Sequence, residues 1–163
     1  MDPYISSLLD RYRTAGLLVD SNLLLLFLIG EIDVYEIDRK KRVQIYDKDD
    51  YYALRNFIQK FVRLYTTPNI LTEVSNLLGR KPKFGSVYDI ALSNFIVSSM
   101  ESYVPSEQAS NDPFFASFDI ADTVSKILAA RGKLLLTDDY QLANHMDAAG
   151  LPVVNFNHIR PLL

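Results

Sequence analysis

Two short, unbroken apolar runs constrain this chain more than any other feature. Gly16-Leu-Leu-Val ends in Asp20, and Lys133-Leu-Leu-Leu-Thr137 ends in Asp138-Asp139. Apolar runs without polar alternation are the mark of strands covered on both faces, as in parallel sheets flanked by helices. Amphipathic segments stand on either side of both runs. The pattern predicts an α/β chain, a three-layer α/β/α sandwich with a mainly parallel central sheet.

The remaining elements follow from caps, breakers and periodicity. Asp2-Pro3 starts a helix with Ile5, Leu8, Leu9 and Tyr12 on one face, and Gly16 ends it. Leu23 to Ile29 begins another. Asp49-Asp50 caps a third, with Leu54, Phe57, Ile58, Phe61, Val62 and Tyr65 spaced along one face. Thr66-Thr67-Pro68 breaks it, and Asn69 to Leu78 is helical up to Gly79. Further helices are expected over Val87–Tyr103, Asp119–Ala130 and Tyr140–Ala149. Leu151 to Phe156 forms a last strand, and 105–113 reads as loop. Residues 31–47 mix β-favouring Val34, Ile37, Val43 and Ile45 with four consecutive basic residues, so their state stays open.

Parallel strands point the same way, and ligands bind outside their carboxyl ends beside a topological switch point. Asp20, Asp138 and Asp139 fall on that edge. Asp122 lies in the first turn of a helix and Glu73 inside another, so the fold must bring these two in. Each acid also has a plainer reading. Asp20 caps a helix, Asp138-Asp139 forms a turn and cap before Tyr140, Glu73 is solvated, and Asp119 caps the helix carrying Asp122. Single carboxylates on four separate elements nevertheless make a donor set for a hard divalent cation. Mg²⁺ takes oxygen ligands and retains several waters, so a few carboxylates suffice.

In this order, Leu18-Val-Asp20-Ser21-Asn22, Thr67-Pro68 with Glu73, Ala121-Asp122 and Leu136-Thr137-Asp138-Asp139 resemble the PIN-domain ribonucleases over residues 16–156. The resemblance implies a nuclease dependent on Mg²⁺ or Mn²⁺. It carries Asp20, Glu73, Asp122 and Asp139 onto the family's acidic quartet, with Asp138 as an alternative or additional metal ligand. Ser21, Asn22 and Thr137 would be polar support. Many single-domain members are toxins of toxin–antitoxin pairs that cut RNA, so an RNA substrate, an antitoxin partner and a homodimer are implied as well. The chain is one domain over 1–163. It departs from the compact toxin type by a helical extension at about 1–15 and an enlarged region at 31–65. A haloacid-dehalogenase-type phosphatase would place Asp-x-Asp after the first strand, where this chain has Asp20-Ser21-Asn22.

Net charge is −3, so any nucleic-acid contact must be local. Arg39, Lys40, Lys41 and Arg42 form one basic cluster, and Arg80 and Lys81 with Lys83 form another. Each reads equally as RNA-backbone contact or as a solvated turn. The absence of cysteine excludes a disulfide framework and thiolate metal sites. Met1-Asp-Pro lacks the pattern of a secretory leader, and the apolar stretch from Leu17 to Ile29 is interrupted by Asp20, Ser21 and Asn22. A cytoplasmic protein without membrane contact is expected. The competing reading is a non-catalytic PIN-like interaction module working through a protein partner.

Overall fold

The computed structural model describes residues 2–79 and 86–163. Helix α1 (Pro3–Tyr12) is capped by Asp2, whose carboxylate accepts the Tyr4 N–H, and it buries Ile5, Leu9 and Tyr12 as the spacing predicts. Gly16 then turns the chain with φ +108°. A Cβ there would lie 2.3 Å from the Tyr65 ring, so both the backbone angle and the space require glycine.

Strand β1 (Leu17–Val19) is buried throughout and runs straight into α2 (Ser21–Ile32). Leu23 to Leu26, Leu28 and Ile29 are all buried, so α2 is apolar nearly all round, as a helix enclosed by other elements must be. The chain continues through α3 (Lys48–Ile58), β2 (Leu64–Thr66), α4 (Pro68–Leu78), α5 (Val87–Ser98) and β3 (Met100–Glu101). It then forms α6 (Ser106–Ser110), α7 (Ile120–Ala130), β4 (Leu134–Thr137), α8 (Tyr140–Ala148), β5 (Val153–Asn155) and α9 (Phe156–Ile159).

The five strands form an all-parallel sheet in the order β3-β2-β1-β4-β5, flanked by helices. This order is consistent with a PIN-like topology. Val19 stands beside Leu136, and Thr137 beside Asn155. From β1 the chain winds outward through β2 to β3, crosses back to β4, and winds the other way to β5. Right-handed crossovers place the helices of these two halves on opposite faces. Accordingly α2 packs against α3, α4 and α5, while α7 packs against α6. The direction of winding reverses between β1 and β4, so the switch point lies where Asp20 and Asp138-Asp139 leave the sheet. Among the described residues no helix is long and apolar enough to cross a membrane.

Three expectations need correction. The third helix is capped by Asp47, with Asp49 and Asp50 inside its first turn, and it stops at Ile58 rather than reaching Tyr65. Sheet pairing overrides helical spacing here: Leu17 N–H donates to Arg63 C=O, Tyr65 lies in β2, and Val62 is exposed. Likewise the helix from Val87 ends at Ser98, because Met100-Glu101 pairs with β2 and Ser102 N–H donates to Thr66 C=O. The stretch read as loop contains the short helix α6 and a 3-10 turn at Pro113–Ala116. The open segment after α2 forms a 3-10 turn (Val34–Glu36) and tight turns. Ile37 and Val43 anchor it in the core.

Candidate metal centre

Asp20 is the N-cap of α2, with Oδ1 accepting the Ser21 N–H at 2.7 Å. Its Oδ2 accepts the Thr137 hydroxyl at 2.6 Å, a bond that joins the exits of the two central strands. Thr137 is fully buried, and its Oγ1 also accepts the Asp139 N–H at 3.0 Å. Asp139 in turn caps α8 through Oδ1, which accepts the Leu142 N–H at 2.9 Å. The cap readings of Asp20 and Asp139 therefore hold, and they aim both carboxylates at the same edge.

Glu73 enters from α4. Its Oε2 accepts the Ser21 hydroxyl at 2.6 Å, so Ser21 supports Glu73 rather than Asp20. Asp122 lies in the first turn of α7, where Asp119 Oδ1 accepts its N–H at 2.9 Å. Asp138 is held on the other side of the cluster. Asn22 Nδ2 donates to its Oδ1 at 3.3 Å and the buried Tyr46 hydroxyl donates to its Oδ2. Asn157 Nδ2 adds a bond to its carbonyl.

These acids lie within reach of one another's charge. Burial is the largest cause raising Asp122 to about 7, followed by the charges of Asp119, Asp20, Asp139 and Glu73. Burial also raises Asp20 to about 6 against its two hydrogen bonds, with Asp138 and Glu73 adding to the rise. The leading charges on both groups are carboxylates. A divalent cation would supply the counter-charge that none of these leading groups provides.

The donors fit a hard cation because all are oxygens on separate, well-supported elements. They do not form a closed cage: among the described residues no three His, Asp or Glu side chains are already arranged to hold a metal ion. A partly hydrated Mg²⁺ or Mn²⁺ does not require one.

A cleft of roughly 930 Å³ opens beside the cluster, between α4 and the segment leading into α7. Glu73 and Asp119 form part of its wall. The basic residues of the first cluster have other contacts. Arg39 pairs with Glu36 at 3.0 Å, and Lys40 sits 4.4 Å from the Tyr88 ring centroid. Lys41 and Arg42 are exposed on the same turn. The second cluster, with Arg80, Lys81 and Lys83, lies outside the described residues.

Sequence reading omitted two participants. Asp119 was assigned only to capping, yet it is the strongest charge on Asp122. Tyr46 lies in the turn region that periodicity left open, so nothing in the sequence pointed to its bond with Asp138. No protein-family model matches the chain, and no curated protein matches it.

Proposed function

We propose that this chain is a PIN-like endoribonuclease that hydrolyses RNA phosphodiester bonds with Mg²⁺ or Mn²⁺. The observation that carries this reading is the set of hydrogen bonds that join Thr137 to Asp20 and Asp139, and Ser21 to Glu73, at the switch point of the sheet, with the charges of these acids acting on Asp122. Asp20, Glu73, Asp122 and Asp139 would hold the ion, with Asp138 beside them. When bound, a divalent cation neutralises charge on the attacked phosphate and makes a coordinated water more acidic.

The chain's own part is orientation. Thr137 fixes Asp20, Ser21 fixes Glu73, and the α8 N-terminus fixes Asp139. Asn22 and Tyr46 hold Asp138. Arg39 to Arg42 would meet the RNA backbone beyond the site. A cytoplasmic location accords with this chemistry.

Calorimetric titration with Mn²⁺ and a cleavage assay test the reading together. The wild-type chain should bind Mn²⁺ and cut RNA only in its presence, and Asp20→Asn should abolish cleavage while keeping the circular dichroism spectrum. Undiminished cleavage by that variant rejects the site.

One observation favours the interaction-module reading, or a partner in addition to catalysis. Helix α5 exposes Val87, Ile90 and Val97, the last at 84%. Such a face suits an antitoxin or a second copy of the chain. A module without catalysis would bind its partner and show no Mn²⁺ heat.

A further inference from the structure

The cleft beside the acids has a chemistry of its own. Its walls are Pro68, Asn69, Thr72, Asn76 and Leu77 from α4, facing Phe115 to Ala121. No Lys, Arg or His is among the described residues that line it. The charged side chains among those residues are the carboxylates of Glu73 and Asp119, so without metal the cleft is a poor seat for a phosphate. An uncharged part of a nucleic acid suits it better than the backbone does.

The groups that are present suit a flat, neutral ring with polar edges. Phe115 is 38% exposed and has no ring partner among the described residues. Its neighbour Phe118 is already committed, stacked on Phe114 at 4.2 Å and edged by His145. The side-chain amides of Asn69 and Asn76 make no hydrogen bond to any described residue. An amide offers both donor and acceptor to the edge of an unpaired base, and an exposed aromatic face offers stacking. The volume falls within the usual ~300–1,000 Å³ of a small-ligand site.

We propose that this cleft receives an unpaired nucleobase next to the scissile phosphate, stacked on Phe115 and read by Asn69 and Asn76. The proposal rests on the nuclease reading for its substrate. It makes the enzyme one for single-stranded or looped RNA, since a paired base cannot leave its helix to enter without added cost.

The test has two arms, both on the full chain. In the first, Mn²⁺-dependent cleavage is measured on single-stranded hexaribonucleotides, each with one abasic ribose. Removing the base at one position beside the cut should lower kcat/KM by roughly 5- to 150-fold, the range of one stacked base, with little effect elsewhere. Phe115→Ala should cause a similar loss on the intact oligomer and no further loss on that abasic one. In the second arm, the four uncharged nucleosides are added to metal-free protein, and the amide signals of Asn69, Asn76 and the Phe115 backbone are followed by NMR. At least one nucleoside should shift them in wild type and not in Phe115→Ala.

A flat abasic scan with cleavage intact overturns the base site and leaves the nuclease standing. Nucleoside-induced shifts without any cleavage support the base site and reject the nuclease. Silence in both arms removes both. Signals that ignore nucleosides but respond to unstructured peptides overturn the proposal in favour of a protein ligand.

Discussion

Ser21 Oγ and Glu73 Oε2 lie 2.6 Å apart, joining the first turn of α2 to the middle of α4 across 52 residues of sequence. The bond explains how a glutamate on a largely exposed helical face becomes part of the acid cluster. Glu73 has no cap or strand exit to direct it, so the Ser21 hydroxyl supplies its aim. Ser21→Ala should leave the fold intact and weaken Mn²⁺ binding by about 10-fold, the lower end of what supporting partners of metal ligands contribute. Calorimetry measures this directly, and unchanged affinity would mean that Glu73 needs no such support.

The raised carboxyls predict a pH-dependent stability of the metal-free protein. In the folded chain Asp20 titrates at about 6 and Asp122 at about 7, against an ordinary value of 3.8. Between these limits the folded state holds more protons than the unfolded one, so stability falls as pH rises. The cost is absent below about pH 4 and fully present above about pH 7; for Asp20 it is on the order of 3 kcal/mol. Thermal melts should show Asp20→Asn more stable than wild type at pH 7.5 and equal to it near pH 4. Saturating Mg²⁺ should recover wild-type stability at pH 7.5 and add little at pH 4.5.

Asp138 and Asp139 are adjacent, but their partners differ. Asp139 is among the charges acting on Asp122, whereas Asp138 acts on Asp20 and is tied to Tyr46 and Asn22. Tyr46→Phe should therefore act mainly on stability. It removes a bond from a buried hydroxyl to a carboxylate, worth about 1.5–3 kcal/mol. Asp139→Asn should instead act mainly on cleavage, with a modest change in melting temperature. If Tyr46→Phe abolishes cleavage at unchanged stability, Tyr46 belongs to the chemistry and not to the scaffold.

Gly30 tests two opposed effects. Alanine in a helix interior normally gains about 1 kcal/mol over glycine. A Cβ on Gly30, however, would lie 2.2 Å from the Tyr51 ring, which is buried and held by Glu31 at 2.7 Å. Overpacking of this kind costs about 1–3 kcal/mol, so Gly30→Ala should destabilise in urea titration. In a Tyr51→Ala background the same change should become neutral or stabilising. A stabilising Gly30→Ala in the wild-type background would show that the ring moves aside freely.

The fold was legible wherever one local signal stood alone. Asp2-Pro3 and Asp119 start helices where the sequence says, Thr67-Pro68 opens one a residue earlier than the expected Asn69, and the central strands declare themselves by unbroken leucine and valine. Legibility failed where a helical pattern ran into residues that pair with the sheet. Tyr65 satisfies a helical spacing and a β-strand equally well, and only the non-local bonds of β1 decide between them. The same applies at Met100-Glu101. In the candidate site, the acids at strand exits were readable because topology alone puts them on one edge. Glu73 and Asp122 were placed by resemblance, and the bonds that aim them depend on contacts between distant elements. Phe115 and Tyr46 carried no periodic or capping signal, so only three-dimensional neighbours reveal them.

The outermost strand β3 is only two residues long and ends in Glu101, while β5 at the opposite border has three. So little open hydrogen-bonding ribbon gives a foreign strand almost nothing to zip onto. Self-association by growing the sheet from molecule to molecule is thereby discouraged.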